Sequence, residues 1–235
     1  MIKAVFFDCY GTIISTGNGS VEAIKKILDN KDIAINAETF YKHWKIIHKD
    51  NIKKLIEFKN EKDIFIEDLR ILYEHYNIKG NVENDIIHML SSLYKRLFYS
   101  DSINCIKKLK ENYKIYIASN SDTKPLLENV GKNNYLFDGI FTSEDLRVYK
   151  PSIQFFEKII KISSFECNEI IYVGDSLVDD ISGAQKLNIY TVLIDRKNEY
   201  KENEIIPDSI INNLNELEEI INKVNKIQIS KLKFK

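Results

Sequence analysis

Short apolar runs that stop at a polar residue are the feature that most constrains how this chain can fold. Four of them are AVFF (residues 4–7), IYIA (115–118), IIYVG (170–174) and YTVLI (190–194). Their continuous Ile, Val, Phe and Tyr content is typical of strands that are buried on both faces. From about residue 100 onward, segments with the 3.6-residue spacing of helices separate the runs, which predicts βα units around a parallel sheet.

The C-terminal part of the chain extends this pattern. Residues 207–211 predict one more short strand, and Asn213 with Glu216 forms a capping pair for a final helix that we expect to end near Val224. The basic, half-apolar segment 226–235 then predicts a solvated tail or an edge strand. Together these elements predict an α/β fold with a Rossmann-like parallel sheet as its core.

Residues from about 20 to 98 break the alternation, because their apolar residues follow only the helical period. The groups are Ile24, Ile27 and Leu28; Phe40, Trp44 and Ile47; Leu69, Leu72, Tyr73 and Tyr76; and Ile86, Leu90, Leu93 and Tyr94. A loop rich in Gly, Asn and Ser, residues 15–20, leads into them as a candidate hinge, and Ser20 is the predicted N-cap of the first helix. We therefore expect an inserted α-helical cap domain, residues 16–98, and a core domain formed by residues 1–15 and 99–235.

Composition excludes several classes of function. A length of 235 residues allows one domain with an insert. With 34 basic and 35 acidic residues the net charge is −1, so no strong field attracts nucleic acid or an anionic membrane. The three cysteines lack C-x-x-C spacing, and neither a signal peptide nor a membrane span is evident. We expect a cytoplasmic protein with a small-molecule substrate, and neither a nucleic-acid nor a membrane partner.

Polar residues that stand directly after the apolar runs are the candidate site. They are Asp8, Ser119, Asn120, Asp175, Ser176 and Asp180, and Lys150 stands just before a helix that Pro151 is expected to open. Ligands of open parallel sheets bind beyond the carboxyl ends of the strands. We therefore expect these side chains to meet at one edge of the sheet.

The residue types in this set suit phosphoryl transfer. A carboxylate such as Asp8 can act as a nucleophile. Two carboxylates from neighbouring strand ends, Asp8 and Asp175, can hold one Mg²⁺, which fills its other positions with water and substrate oxygen. Lys150 adds positive charge, and the Ser119 hydroxyl with nearby backbone amides can donate hydrogen bonds to the transferring group.

Four short motifs carry a resemblance to a known family. DCYGT, SNSD, YKP and GDSLVDD occur in this order, and together they resemble the motifs of the haloacid dehalogenase superfamily of hydrolases. The resemblance extends from residue 8 to residue 180, and the helical insert is similar to that superfamily's cap between its first and second motifs. It implies the same α/β core and an aspartyl nucleophile.

The resemblance also implies a role for each matching residue. Asp8 would be the nucleophile, Thr12 and Ser119 with its neighbour Asn120 would orient the site and bind the transferring group, and Lys150 would steady the charges. A second group would hold Mg²⁺, directly or through water. It comprises the side chains of Asp8, Asp175 and Asp180 and the backbone carbonyl of Tyr10. Family spacing favours Asp180 over its neighbour Asp179 as the outer ligand.

Tyr10 departs from the phosphatases of that superfamily, which usually have a second aspartate two residues after the nucleophile. The branch that hydrolyses 2-haloacids commonly has tyrosine there, since a halide leaves without a proton. That branch, however, works without metal and has Ser or Asn where this chain has Asp175. It also uses a cap arginine, and here no arginine precedes Arg70.

Lys45, beside Trp44, is the nearest substitute for such an arginine, although Lys and Arg are not equivalent at a carboxylate. Tyr10, Trp44 and Lys45 are therefore the candidates for substrate selection. The sequence favours a Mg²⁺-dependent phosphatase over a metal-independent 2-haloacid dehalogenase. A non-catalytic relative that binds phosphate or metal is the third hypothesis.

Overall fold

The structure is a computed structural model that describes residues 1–202 and 204–233. The chain divides into two compact units. The α/β unit comprises Met1–Ser15, Phe98–Asn120 and the chain from Gly131 onward. The helical unit comprises Thr16–Leu97 and Ser121–Val130.

A six-stranded, fully parallel sheet with the order β5-β4-β1-β6-β7-β8 forms the centre of the α/β unit. A separate two-stranded sheet pairs β2 with β3. The strands are β1 (Ala4–Phe7), β2 (Ile14–Ser15), β3 (Leu97–Phe98), β4 (Lys114–Ser119), β5 (Gly139–Thr142), β6 (Ile170–Gly174), β7 (Tyr190–Ile194) and β8 (Ser209–Ile211). Phe7 pairs with Ile117 on one side and with Val173 on the other, so the residues after β1, β4 and β6 emerge side by side.

The predicted strands are confirmed with small differences at their ends. β1, β6 and β7 have the predicted bounds, β4 is one residue longer at each end, and β8 begins at Ser209 instead of residue 207. β5 was not predicted, because it is a short edge strand that begins with Gly139 and is only half buried along its first half. The α/β fold class is therefore confirmed.

The helices of the α/β unit are α5 (Ser102–Lys110), α7 (Ser143–Leu146), α8 (Ile153–Ser163), α9 (Gly183–Gln185) and α10 (Leu217–Lys233). A π-helical turn, Leu177–Ser182, precedes α9. Helix α8 begins two residues after Pro151, so the expectation that this proline opens the helix was wrong. None of the helices in the described residues has the length and apolar composition of a membrane span.

Residues 226–233 are helical, so the predicted edge strand was wrong, whereas the side chains of residues 226–231 are mostly exposed, as a solvated segment requires. Residues 234–235 lie outside the described part. Asn213 and Glu216 form the predicted capping box. Helix α10 then continues past Val224 to Lys233, since no glycine or proline stops it. The Gln228 side chain also donates a hydrogen bond of 2.8 Å to the carbonyl of Asn168.

The four predicted helices of the insert are present in the helical unit, together with one more. They are α1 (Gly19–Asp29), α2 (Ala37–Lys53), α3 (Glu61–His75), α4 (Val82–Ser92) and α6 (Thr123–Val130). The apolar faces of α1 to α4 form one core that includes Ile24, Phe40, Leu69 and Ile86. Ser20 is not the N-cap that the sequence predicted, because the helix begins earlier, after Asn18, and Ser20 is buried in its first turn.

Residues 121–130 group with the helical unit, whereas the sequence assigned them to the core domain. The Asp122 carboxylate accepts hydrogen bonds from the backbone of Glu61 and Lys62, at 2.8 and 3.1 Å, and so caps the start of α3. The Asn129 amide binds the carbonyl of Leu93 at 2.7 Å. These contacts attach α6 to the helices of the insert.

A fully buried carboxylate, Asp68, joins α3 to α2. It accepts hydrogen bonds from the Trp44 indole N–H at 3.2 Å and the Asn51 amide at 2.6 Å, and it contacts Nδ1 of His48 at 2.7 Å. A buried carboxylate without donors would be strongly unfavourable, so these three partners are what allow Asp68 to lie in the core.

We expect Asp68→Ala to lower the free energy of unfolding by about 3–5 kcal/mol, because the buried Trp44 indole and the half-buried Asn51 and His48 lose their acceptor. Urea denaturation measures this loss. Glu67→Ala is the matched control, since Glu67 is exposed and pairs with exposed Lys59. The control should cost less than about 1 kcal/mol. An Asp68→Ala variant as stable as this control would show that the network is dispensable.

Candidate active site

Asp8 lies at the carboxyl end of the central strand β1, and two side chains hold its carboxylate. The Thr12 hydroxyl donates to Oδ2 at 3.1 Å, and the Lys150 ammonium donates to Oδ1 at 2.7 Å. Asp8 is 7% exposed and both partners are buried. The carboxylate therefore has a fixed orientation beside a positive charge.

Lys150 is the electrostatic centre of the site. Besides Asp8, its Nζ lies 2.6 Å from Oδ1 of Asp180, 3.0 Å from the Ala118 carbonyl and 3.1 Å from the Tyr172 hydroxyl. Burial opposes its charge, but the carboxylates of Asp180 and Asp8 outweigh burial and raise the pKa of the ammonium well above its ordinary value. The two carboxylates therefore stabilise the protonated form of Lys150.

Asn120 fixes the backbone of this lysine. Its side-chain amide donates to the Lys150 carbonyl at 3.1 Å, and its side-chain oxygen accepts from the Lys150 N–H at 2.8 Å. This reciprocal pair joins the end of β4 to the segment before α8. The sequence placed Asn120 among the catalytic residues, and in the structure it contacts Lys150.

Asp8, Asp175 and Asp180 form a cluster in which one carboxylate oxygen from each residue lies within 4.8 Å of the others. Two glycines make room for it. A Cβ atom on Gly11, whose φ is +98°, would lie 2.1 Å from Asp175, and one on Gly174 would lie 2.3 Å from Asp180. Any larger residue at either position would displace a carboxylate.

The three carboxylates repel one another. Asp175 is exposed as a residue, but its carboxylate faces the site, where loss of hydration and the charges of Asp8 and Asp180 raise its pKa above its ordinary value. Burial, together with Asp8 and against the effect of Lys150, raises the pKa of Asp180 to about 7. A group of hard oxygen donors with unbalanced negative charge fits Mg²⁺. Asp179 lies outside this cluster, because its carboxylate accepts a hydrogen bond from Ser176 instead.

The other predicted site residues have varied surroundings. Ser119 is buried at the carboxyl end of β4, where the sequence expected it. Tyr10 is half-buried in the loop after Asp8, where it forms an isolated bridge with Ile14. In the helical unit, Lys45 places its ammonium over the Tyr41 ring at 5.2 Å.

The environment of Trp44 argues against its predicted role in substrate selection. Its side chain is 2% exposed, and its indole N–H donates to Asp68 inside the helical unit. A side chain that is enclosed in this way contributes to packing. The helical spacing of apolar residues along α2 does not distinguish such a side chain from one that faces a ligand.

Tyr172 is a site residue that the sequence analysis missed. It is fully buried in β6, and its hydroxyl donates to the Ala118 carbonyl at 3.0 Å while it accepts from Lys150. A tyrosine within an otherwise apolar, central strand is the available signal, because a buried phenol needs a hydrogen-bond partner.

Comparison with known proteins gives two kinds of relative. The glyceraldehyde 3-phosphate phosphatase of Methanocaldococcus jannaschii is 37% identical over 92 residues, which span 38% of this chain but only 40% of that protein's length. The (S)-2-haloacid dehalogenase 4A of Burkholderia cepacia is 24% identical over 225 residues, 92% of this chain and 93% of that protein.

Solved structures share the fold at low identity. The putative HAD-hydrolase YfnB of Bacillus subtilis, bound to magnesium, superposes with a TM-score of 0.77 at 20% identity and covers 94% of this chain and 99% of its own. The L-2-haloacid dehalogenase of Xanthobacter autotrophicus has a TM-score of 0.80 at 17% identity, with the same coverage of 94% and 99%. A family model for haloacid dehalogenase-like hydrolases matches residues 2–188. With most of its length matched, this chain belongs to the haloacid dehalogenase-like hydrolase family.

Proposed function

We propose that this protein is a Mg²⁺-dependent phosphohydrolase that acts on a small phosphorylated molecule through Asp8 as nucleophile. The observation that carries the proposal is the position of Asp175, which adds a third carboxylate to Asp8 and Asp180 within 4.8 Å. An enzyme that works without metal gains only repulsion from such a group. A divalent cation converts the same repulsion into binding.

The side chains around Asp8 suit an attack on phosphorus. A carboxylate oxygen of Asp8 would form a bond to phosphorus while the bond to the leaving oxygen breaks, which produces an aspartyl phosphate. Lys150, fixed 2.7 Å from Asp8, and Thr12, at 3.1 Å, keep the nucleophile oriented without further rearrangement. Water would then cleave the aspartyl phosphate and restore the carboxylate.

Charge neutralisation is the second requirement, because a phosphate dianion approaches a site that contains three carboxylates. Mg²⁺ held by Asp8, Asp175, Asp180 and the Tyr10 carbonyl would supply most of this neutralisation. Lys150 supplies a fixed positive charge from the protein. Ser119, at the end of β4, is proposed to donate a hydrogen bond to the phosphoryl oxygens.

Tyr10 determines which leaving groups the enzyme accepts. No carboxylic acid stands two residues after the nucleophile, and a phenol such as that of Tyr10, with an ordinary pKa of about 10, is a much weaker acid toward a departing alkoxide. Aryl and acyl phosphates have leaving groups that are stable as anions. We propose that they are the preferred substrate class, and that alkyl phosphates are poor substrates. The role of residues 16–98 as a cap domain that selects among these substrates stays a prediction.

Tyr10→Asp should restore the missing acid. General acid catalysis contributes roughly 10²–10⁴-fold, but a carboxylate misplaced by about 1 Å forfeits much of that factor. We therefore expect kcat/KM for an alkyl phosphate to rise by at least about tenfold and kcat/KM for an aryl phosphate to change far less. Tyr10→Phe is the control, since it keeps the aromatic ring, removes the hydroxyl and supplies no carboxylic acid.

Comparable cleavage of alkyl and aryl phosphates by the wild-type protein, with chemistry rate-limiting, would contradict this role of Tyr10. Another group would then supply the proton.

A 2-haloacid dehalogenase is the second candidate, and Tyr10 is the observation that favours it. Asp8 would attack carbon, and halide would leave without a proton. This candidate predicts that the protein releases chloride from 2-chloropropionate in the presence of chelator. The phosphohydrolase proposal predicts no chloride release under these conditions and phosphate release from an aryl phosphate with Mg²⁺.

A further inference from the structure

Arg196, which follows β7 in the loop after Asp195, contacts the loop that carries the nucleophile. Its Nη2 and Nε donate to the backbone carbonyl of Thr12 at 2.7 and 3.3 Å. The side chain is only 16% exposed. The sequence analysis assigned it no role, and the mechanism above does not use it.

Two further groups hold the guanidinium in place. Nη1 and Nη2 donate to the two oxygens of Asp101 at 2.9 and 3.1 Å, which is a bidentate pair, and the Arg196 Cζ lies 3.8 Å above the centre of the Tyr99 ring. Burial opposes the charge of Asp101, but the hydrogen bonds from Arg196 outweigh it and hold the pKa of this carboxyl below its ordinary value. Asp101 also accepts from the Leu214 N–H at 2.9 Å.

The Thr12 carbonyl belongs to a tight loop. Ile13 and Ile14 donate their N–H groups to the Cys9 carbonyl at 2.9 and 2.8 Å, and Gly11 donates to Ile14 at 2.8 Å. Thr12 itself donates its hydroxyl to Asp8. A continuous series of contacts therefore connects Asp101, Arg196, the Thr12 backbone and the Asp8 carboxylate.

We propose that Arg196 is a positioning residue that holds the Thr12 carbonyl, so that the Thr12 hydroxyl stays on the Asp8 carboxylate. Arg196 touches neither substrate nor reacting atoms and acts only through Thr12. The inference rests on the proposed nucleophilic role of Asp8, but it holds equally for attack on phosphorus or on carbon.

The alternative is that the Arg196–Asp101 pair only stabilises the fold. The chain offers a matched control, Asp138, which is also partly buried and accepts from Lys110, Lys114 and the Ile115 N–H at 3.1, 2.9 and 2.9 Å. Its pKa is likewise held low against burial by the hydrogen bonds of these partners. It lies at the opposite end of β4 from Ser119.

Amide hydrogen exchange, followed by NMR, tests the positioning without any substrate. In Arg196→Met, we expect the amides of Gly11, Ile13 and Ile14 to exchange at least about tenfold faster, with the Ile115 amide unchanged. In Asp138→Asn, we expect the Ile115 amide to exchange faster and the amides of Gly11, Ile13 and Ile14 to be unchanged. A uniform acceleration in Arg196→Met, or none in residues 11–14, would overturn the proposal.

A double-mutant cycle tests the route through Thr12. Arg196→Met should lower kcat by about tenfold with KM within about twofold, and Arg196→Lys, which cannot form the bidentate pair, should restore kcat in part. In a Thr12→Val background the same change at Arg196 should lower kcat by less than about twofold. Equal effects in both backgrounds would show a structural role only.

The cycle is measured on whichever substrate the wild-type protein turns over, an aryl phosphate with Mg²⁺ or 2-chloropropionate. Turnover of 2-chloropropionate alone would contradict the proposed phosphohydrolase and leave the cycle valid for Arg196. If neither substrate is turned over, the exchange pattern alone decides the positioning role of Arg196.

Discussion

Asp8→Asn should abolish turnover, with kcat lowered by at least about 10⁴-fold, because it removes the attacking charge and keeps the shape of the side chain. The fold should survive. Lys150 retains its 2.6 Å contact with Asp180 and its hydrogen bonds to Ala118 and Tyr172, so the lysine does not become an unpaired buried charge.

Steady-state kinetics together with thermal unfolding measure both expectations for Asp8→Asn. Asp138→Asn is the control, since it makes the same chemical change at a carboxylate distant from the site and should leave kcat within about twofold. A folded Asp8→Asn protein that keeps a tenth or more of the wild-type rate would exclude Asp8 as the nucleophile.

Asp175→Ala is expected to have the second largest effect. Metal neutralisation of a transferring phosphoryl group contributes several kcal/mol, so loss of this ligand should lower phosphate release by about 10²–10³-fold. Asp179→Ala is the matched control, because Asp179 lies on the same π-helical turn as Asp180 and binds Ser176 instead of joining the carboxylate cluster.

The same variant has a readout that does not depend on activity. Mg²⁺ should raise the melting temperature of the wild-type protein and of Asp179→Ala, since a ligand that binds only the folded state stabilises it. It should leave the melting temperature of Asp175→Ala unchanged. A similar Mg²⁺ response in Asp175→Ala would remove Asp175 from the metal site.

The sequence predicted the sheet and the meeting of Asp8, Asp175 and Asp180 at its edge, because both depend on local signals. Each buried strand is a continuous apolar run, and Asp8, Asp175 and Ser119 stand at or directly after the ends of such runs. Parallel strands bring their carboxyl ends to one edge, which is why residues so far apart in sequence meet around Lys150.

Contacts between residues that are far apart in the sequence have no local pattern from which they could be predicted. Arg196 reaches Thr12 across 184 residues and Asp101 across 95 residues, and each of these residue types is common at a surface. Helix α6 groups with the helical unit through hydrogen bonds of Asp122 and Asn129 to residues 61 and 36 positions away, which no local pattern predicts. The sequence did not predict the helix over residues 226–233, because this weakly apolar segment is compatible with several structures and tertiary packing selects among them.

The most direct test of the central claim is the initial rate of phosphate release from an aryl phosphate, measured on wild-type protein over a range of free Mg²⁺ concentrations. The proposed mechanism predicts a rate that rises to saturation with Mg²⁺ and returns to the background rate when chelator is added. A rate of phosphate release that is unchanged in chelator, or no phosphate release alongside metal-independent release of chloride from 2-chloropropionate, would contradict it.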